Sequence, residues 1–266
     1  MANFILIDGS YFCFYRYYAL LRWWSLARKD IELDDPYDNQ EFKEKFESTF
    51  INKIKEIPLK LKIKNPIILT AKDCPRDKIW RNQYINNYKE GRDTDNNFKG
   101  GPFFKLAYNE LWKRAGIEHI LKYDSLEADD CIALTVEKIL ETDKDANIWI
   151  IANDCDYLQL VSNNVFLYNL KYKNISESKN STKNAECDKF CKIVCGDKSD
   201  NISGIFNKCG IKTAIKYYND QESFKLKLEN DKSAQNKFKL NTTLIDFKMI
   251  PEHLKIGFKQ DVLLST

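Results

Sequence analysis

The chain has 266 residues and a mass of 31.3 kDa, with 43% hydrophobic, 13% aromatic and 30% charged residues. With only 9 Gly and 6 Pro, it is neither a low-complexity nor a collagen-like chain, and a packed core is expected. No apolar run approaches the ~20 residues that span a bilayer, and the first ten residues lack the pattern of a secretory signal. We therefore expect a cytoplasmic protein with no membrane contact.

The charge is unevenly distributed along the chain. Residues 1–170 hold 24 Lys and Arg against 27 Asp and Glu, whereas residues 171–248 hold 16 against 10. A basic C-terminal part beside an acidic N-terminal part suits a polyanion held near carboxylates, although a solvated Lys-rich face gives the same imbalance. The composition carries no sign of oligomerisation, and a monomer is expected.

Cysteine and histidine limit the chemistry that is open to the chain. The eight cysteines lack a secretory context and are expected as free thiols. Cys187, Cys191 and Cys195 step by four, a spacing that is more typical of a buried helix face than of a zinc site. Only two histidines are present, so a His-based zinc enzyme or a serine-type triad has few parts to draw on. Carboxylates remain as the main reactive groups.

Three short, isoleucine-rich runs each end close to an aspartate. Long stretches with helical periodicity separate them, which is typical of parallel strands joined by crossover helices. Ligands of such sheets bind at the carboxyl ends of the strands. The pattern therefore predicts an α/β fold in which three distant aspartates meet. The runs and their acids are 4–7 with Asp8, 67–70 with Asp73, and 148–151 with Asp154.

The stretch 76–105 mixes basic and aromatic side chains. Lys89 and Arg92 lie three residues apart, so a helix would place both on one side, where they could reach phosphates. A mobile surface loop is the alternative. The basic residues are Arg76, Lys78, Arg81, Lys89, Arg92, Lys99 and Lys105, and the aromatic residues are Trp80, Tyr84, Tyr88 and Phe98.

A run of acids opens the next helix candidate. Asp124 with Glu127 three residues later has the spacing of a capping box, and the helix dipole favours acids in a first turn. A helix that starts at Asp124 is expected, but capping leaves Asp129 and Asp130 unexplained. More acids follow along the chain: Asp154, Asp156, Asp197 and Asp200.

Nine carboxylates in five clusters predict a metal centre if they converge. Their mutual repulsion would raise their pKa values and oppose folding unless cations neutralise them. Ligands that are all oxygen select Mg²⁺ or Mn²⁺ over zinc. Two such ions roughly 3.5–4 Å apart can activate water and stabilise the leaving oxygen of a phosphodiester. The pattern thus indicates hydrolytic cleavage of phosphodiesters.

The order of these motifs resembles that of the flap endonuclease and 5′-3′ exonuclease family. The similarity runs over about 200 residues and is closest to the branch that contains the ribonuclease H of T-even bacteriophages, which suggests a viral source. The motifs are Ile7-Asp8-Gly9, Asp73, Tyr88-Lys89-Glu90-Gly91-Arg92-Asp93, Glu127-Ala128-Asp129-Asp130, Asp154-Cys155-Asp156 and Gly196-Asp197-Lys198-Ser199-Asp200-Asn201.

The resemblance implies a PIN-like, mainly parallel sheet with flanking helices, a helical arch and a C-terminal helix-hairpin-helix-like module. It implies a structure-specific nuclease that removes RNA primers or 5′ flaps from DNA and RNA–DNA duplexes during replication or repair. The replication role admits a single-strand-binding or clamp protein as a partner. Mg²⁺ would be the cofactor, and Mn²⁺ would substitute for it.

The resemblance also assigns roles to individual residues. Lys89 and Arg92 match the basic pair at the base of the arch that draws the scissile phosphate onto the metals, and Arg81 is a weaker candidate for the same task. The first ion would be held by Asp8, Asp73, Glu127, Asp129 and Asp154. The second would be surrounded by Asp130, Asp156, Asp197 and Asp200.

The segment after Asn201 departs from the family's hairpin. Gly210, Lys212, Thr213 and Ala214 are retained, but Asn207 and Lys208 replace a tighter glycine-rich turn. This departure puts the K⁺ ion often found there in question. Lys208, Lys212 and Thr213 could still contact duplex phosphates beside a helix start.

The expected organisation is an α/β nuclease domain over residues 1–184, with the arch at about 76–105, and a helical DNA-binding module and tail over 185–266. Two alternatives remain. A PIN-type ribonuclease shares the acidic strand ends but leaves the basic module unexplained. A non-catalytic nucleic-acid-binding protein would leave the intact acidic clusters unexplained.

Overall fold

The structure is a computed structural model that describes residues 1–29, 31, 33–93 and 98–263, without the side chains of residues 92 and 93. Its centre is a five-stranded, wholly parallel sheet with the strand order β3-β2-β1-β4-β5. The α/β fold and the three strands expected from the sequence are confirmed, and two short strands were missed. The strands are β1 (Asn3–Asp8), β2 (Ile67–Ala71), β3 (Ile120–Leu121), β4 (Asn147–Ile151) and β5 (Val165–Tyr168).

One face of the sheet is covered by aromatic-rich helices. Ile5 and Ile7 of the central strand pack there against Phe12, Phe50 and Trp112, and all five are fully buried. The first helix buries Phe12, Tyr17 and Trp24 in this core, whereas its Phe14 and Tyr18 side chains are exposed. The helices are α1 (Gly9–Ala27), α2 (Gln40–Leu61), and α3 (Gly101–Leu106), which continues through a π-helical turn (Ala107–Leu111) into α4 (Trp112–Arg114).

The opposite face is covered by α5 (Ala128–Thr142) and by the C-terminal segment. That segment comprises a 3-10 turn (Phe247–Met249), α10 (Glu252–Phe258) and a π-helical end (Lys259–Leu263). Phe247, Leu254 and Phe258 join the core formed by α5 and the sheet. The segment therefore packs against α5 and joins the core between α5 and the sheet, although the sequence grouped it with the helical module.

Four helices form a separate layer with its own core. They are α6 (Ala185–Cys195), α7 (Ile211–Asn219), α8 (Gln221–Glu229) and α9 (Lys232–Ile245). Cys191, Val194, Phe206 and Phe224 pack together at its centre. Gln159, in the 3-10 turn (Cys155–Leu160) that follows β4, holds the end of α9. Its side-chain amide donates to the Ile245 carbonyl at 3.0 Å, and its side-chain carbonyl accepts from the Phe247 N–H at 3.1 Å.

The segment expected as a helical arch is built differently over the residues that the structure describes. Residues 76–93 form three 3-10 turns (Arg76–Lys78, Trp80–Gln83 and Glu90–Asp93) that lie against the body of the protein. Lys89 has a φ of 56°, so it does not continue a helix towards Arg92. Residues 94–97 lie outside the described part of the chain, residues 98–100 lead into α3, and residues 101–105 belong to that helix.

Two further features bear on the sequence analysis. All eight cysteines are free, and the Cys187 and Cys191 sulfurs lie 4.0 Å apart in the buried face of α6. Within residues 1–29, 31, 33–93 and 98–263, none of the helices has the length and apolar character needed to cross a membrane.

Candidate active site and metal centre

The sheet topology brings five acids to one pocket. Because β2, β1 and β4 are neighbours, the residues that follow them share one edge of the sheet. Asp73, Asp8 and Asp154 lie at that edge, and Glu127 and Asp129 approach it from the start of α5. Together they line a cavity of about 280 Å³, called here the ion pocket. The convergence expected from the sequence is therefore present.

Asp8 is fixed by two donors where β1 passes into α1. Its Oδ1 accepts from the Tyr11 N–H at 2.9 Å and caps the helix, while its Oδ2 accepts from the Tyr157 hydroxyl at 3.0 Å. Gly9 permits this turn, because a Cβ there would lie 2.4 Å from the Ala71 carbonyl oxygen. Burial, followed by repulsion from Asp73, raises the pKa of Asp8 to about 7.

Asp73 is tied to the start of α5 and to α1. Its Oδ1 accepts from the Ala128 N–H at 2.9 Å, and its Oδ2 accepts from the Ser10 hydroxyl at 2.5 Å. The carboxylate thus lies at a helix N-terminus, where the aligned backbone dipoles favour negative charge. Its side chain remains exposed to solvent.

The helix α5 begins later than the sequence predicts. The N-cap is Glu127 rather than Asp124, because residues 123–126 form a turn in which Ser125 has a φ of 69°. The Glu127 N–H donates to Asp130 Oδ2 at 3.1 Å, so the capping pair lies one turn further along the chain than expected. This shift places Glu127 and Asp129 at the ion pocket.

Arg81 and Asp130 form a buried ion pair, which corrects two expectations. Arg81 is 2% exposed, and its guanidinium binds both Asp130 oxygens at 2.7 and 2.8 Å. Trp80 Nε1 also donates to Asp130, at 2.9 Å. Arg81 therefore cannot reach a phosphate in this structure. Asp130 is fully buried and groups with Glu127 and Asp129, not with the acids expected around the second ion.

A second acidic cluster lies beside the ion pocket. Asp156, Asp197 and Asp200 bring one oxygen each to within 4.8 Å of one another. Lys192 of α6 forms ion pairs with Asp156 and, at 2.9 Å, with Asp197. Burial opposes ionisation of Asp197, but Lys192 and Ser199 outweigh it and lower the pKa to about 2. The sequence does not distinguish Lys192 from the other lysines of this stretch, except by its place four residues before Gly196, on the helix that precedes an acidic motif.

Lys89 links the two acidic groups. Its ammonium lies 2.5 Å from Glu127 Oε1 and 3.7 Å from Asp200 Oδ2. The Tyr88 hydroxyl makes a parallel link, at 3.2 Å from Glu127 Oε2 and 3.3 Å from Asp200 Oδ2. Burial and then Asp129 raise the pKa of Glu127 to about 7, although Arg81 and Lys89 act in the opposite direction. The backbone of Arg92 follows in the same turn, and its side chain lies outside the described part of the structure.

The basic residues expected to contact duplex phosphates lie at the start of α7. Lys208 and Lys212 are exposed, and the Thr213 N–H bonds the Gly210 carbonyl at 2.9 Å in the first turn of the helix. Gly210 is the N-cap and supplies no side chain there. These residues lie in the helical layer, after the loop that carries Asp197 and Asp200.

The sequence matches one family model over most of its length. Residues 3–190 match the 5′-3′ exonuclease, N-terminal resolvase-like domain. The chain is 30% identical over 209 residues to the ribonuclease H of Enterobacteria phage T4, which covers 70% of this chain and 66% of that protein. It is 30% identical over 207 residues to a 5′-3′ exonuclease of Buchnera aphidicola, covering 71% and 69% of the two chains. The match thus spans just under two thirds of the phage protein's length.

The fold is also that of a solved phage structure. The bacteriophage T5 flap endonuclease, in a pseudo-enzyme–product complex with DNA and metal ions, superposes with a TM-score of 0.65 over 98% of each chain. The two sequences are 17% identical, so this likeness concerns the fold alone.

Proposed function

The chain belongs to the 5′-3′ exonuclease family, and on that premise we propose that it is a structure-specific 5′-3′ exonuclease and flap endonuclease. It hydrolyses phosphodiesters near the 5′ ends of duplex strands. The observation that supports this most strongly is the convergence of five carboxylates on one pocket, with a second carboxylate cluster beside it.

The donor set of both clusters fits divalent metal ions. The possible ligands that line the ion pocket are oxygen atoms, from the five carboxylates and from the hydroxyl and amide groups of Ser10, Tyr11, Asn153 and Tyr157. Hard oxygen ligands suit Mg²⁺, with Mn²⁺ as a substitute. Burial, and then repulsion from neighbouring carboxylates, raises the pKa values of Asp8 and Glu127, and a bound cation would oppose both effects. The first ion would be held by Asp8, Asp73, Glu127, Asp129 and Asp154, and the second by Asp156, Asp197 and Asp200.

When bound at these carboxylates, divalent ions would supply an activated water and stabilise the leaving oxygen. The residues of the chain position those ions and the phosphate. Asp8 is held by Tyr11 and Tyr157, and Asp73 by Ser10 and α5, so these carboxylates are oriented before an ion arrives. Lys89 lies at the junction of the two clusters, where its charge would draw the scissile phosphate towards both, with Arg92 close in sequence.

The helical layer would bind the duplex part of the substrate. Exposed Lys208 and Lys212 lie beside the N-terminus of α7, where a duplex phosphate would meet lysine charge and free backbone N–H groups. We assign a nuclease domain to residues 1–184 and a DNA-binding module to 185–266, within which the tail returns to the sheet. Asn207 and Lys208 still argue against a K⁺ ion in this turn.

The substrates proposed are DNA and RNA–DNA duplexes with 5′ flaps or 5′ ends, so the activity includes that of a ribonuclease H. Removal of RNA primers during replication is the corresponding role, carried out by a monomer in the cytoplasm, with a clamp or single-strand-binding protein as a partner. The match to relatives named ribonuclease H and 5′-3′ exonuclease supports this assignment.

The test is cleavage of two 5′-labelled substrates, a DNA duplex with a 5′ flap and an RNA-primed DNA duplex. Both should be cut with Mg²⁺ and spared with EDTA, and the product sizes separate exonuclease from endonuclease action. Asp154→Asn should lower turnover by orders of magnitude, because an amide ligand cannot neutralise the ion. Asp124→Asn, an exposed acid outside both clusters, is the matched control. Failure to cleave either substrate would refute the proposal.

A further inference from the structure

Arg81 makes more hydrogen bonds than its ion pair with Asp130 requires. Besides binding both Asp130 oxygens, its Nη1 donates to Glu127 Oε2 at 2.8 Å, and its Nε donates to the Leu244 carbonyl oxygen in α9 at 2.8 Å. One buried guanidinium therefore joins the turn at residues 80–83, the start of α5 and the end of α9. A purely structural counter-ion for Asp130 would not need the bond to Glu127.

The two oxygens of the Glu127 carboxylate have different hydrogen-bond partners. Oε2 accepts from Arg81 at 2.8 Å and from the Tyr88 hydroxyl at 3.2 Å. Oε1 accepts from Lys89, which itself lines the ion pocket. Arg81 and Tyr88 thus hold Oε2, so that Oε1, which accepts from Lys89 in this structure, is the oxygen that faces the side where an ion would bind.

We infer that Arg81 is a positioning residue, which orients Glu127 so that Oε1 serves as a metal ligand. The inference rests on the proposed function and assigns Arg81 a task other than contact with the substrate. The planar fork of a guanidinium is needed for this task, because a single ammonium cannot reach Asp130, Glu127 and the Leu244 carbonyl together. Partners that orient a metal ligand in this way commonly contribute tenfold or more to metal affinity.

The experiment is a double-mutant cycle of Arg81→Lys and Glu127→Gln, read as the Mn²⁺ dissociation constant from the electron paramagnetic resonance of free Mn²⁺, without nucleic acid. Arg81→Lys should weaken Mn²⁺ binding about tenfold in the wild-type background. In the Glu127→Gln background it should change binding by less than twofold, because Arg81 acts through Glu127. A residue that merely stabilises the fold would lower affinity by the same factor in both backgrounds.

Lys189→Met is the matched control for loosened packing. Lys189 is also largely buried and pairs at 3.3 Å with Asp246, the residue that follows α9, but it does not touch Glu127. This variant should keep the Mn²⁺ dissociation constant within twofold. If Arg81→Lys does not fold, Arg81→Met with Asp130→Leu replaces it, since a buried ion pair can be exchanged for apolar side chains.

The outcomes separate the inference from the proposed function. No Mn²⁺ uptake by the wild-type protein would refute the metal centre itself. Uptake by the wild type with an unchanged constant in Arg81→Lys, equal factors in both backgrounds, or an equal loss in Lys189→Met would overturn the role of Arg81 alone.

Discussion

The Lys89 ammonium lies 2.5 Å from Glu127 Oε1, within the pocket that five carboxylates line. A side-chain cation thus stands beside the oxygen that we assign to a metal ion. Burial opposes the charge on Lys89, but Glu127 and Asp129 outweigh it and raise its pKa. The lysine and a divalent ion should therefore compete for the same carboxylate.

This competition predicts that Lys89→Met binds Mn²⁺ more tightly than the wild type, by about threefold to tenfold, while cleavage falls because the phosphate loses its cation. Binding is measured by calorimetry with Mn²⁺ alone, and cleavage is measured on a flap duplex. Lys122→Met, which removes an exposed lysine outside the ion pocket, should change neither quantity. Weaker binding in Lys89→Met would contradict the competition.

The raised pKa values predict a pH-dependent stability for the metal-free protein. The pKa of Asp8 is about 7 in the folded chain against 3.8 for a free side chain, and that of Glu127 is about 7 against 4.5. Between pH 4 and 7 the folded state therefore binds more protons than the unfolded state, so stability falls as the pH rises through this window. The low pKa of Asp197 acts below pH 4 and does not oppose this trend.

The measurement is urea unfolding in EDTA at pH 5 and pH 8 at constant ionic strength. The free energy of unfolding should be lower at pH 8, by on the order of 3 kcal/mol, and excess Mg²⁺ at pH 8 should restore it. Asp8→Asn should reduce the difference between the two pH values. Greater stability at pH 8 in EDTA would show that the acids are not held as described.

Removing the Tyr157 hydroxyl should destabilise the charged form of Asp8. Tyr157 is fully buried and donates to Asp8 Oδ2 at 3.0 Å, so Tyr157→Phe leaves a buried carboxylate with one donor fewer. A loss of about 1–3 kcal/mol in the free energy of unfolding is expected at pH 8 in EDTA. Tyr84→Phe, at an exposed tyrosine, is the control and should be neutral within experimental error. Equal stability of both variants would show that the hydrogen bond to Asp8 contributes nothing.

Replacing Lys208 and Lys212 together by Ala should weaken duplex binding similarly across sequences. Because contacts to phosphates carry the salt dependence, the slope of log K against log salt should become shallower by about 1–2. Fluorescence anisotropy with a labelled duplex in Ca²⁺ measures both quantities. Lys144→Ala, at the opposite edge of the sheet, leaves the slope unchanged if the helical layer is the binding surface.

Local pattern was enough to predict part of the site. Asp8, Asp73 and Asp154 each follow a short apolar run, and parallel strands place such residues at a common edge regardless of their distance in sequence. The strand positions were predictable because short, continuous apolar runs are typical of parallel strands that are buried on both faces.

Long-range pairing was not visible in the sequence. Arg81 looks like any basic residue of a surface segment, and only its partner 49 residues later makes it a buried one. The same pair makes Asp130 internal. In the sequence, Lys192 is one of many lysines in a basic stretch. Only the fold shows that it pairs with Asp156 and Asp197. The burial and ion pairing of Arg81, Asp130 and Lys192 depend on contacts between residues that are distant in sequence. Local residue spacing does not predict such contacts.

The return of Phe247, Leu254 and Phe258 to the core beneath α5 makes the four-helix layer an insertion, not an appendage. The chain before this layer forms the sheet, and the chain after it packs into the core beside α5. Proteolytic nicking between β5 and α6 would therefore yield two pieces that remain associated, whereas a fragment that stops before α6 would leave the apolar flank of α5 bare and prone to aggregation.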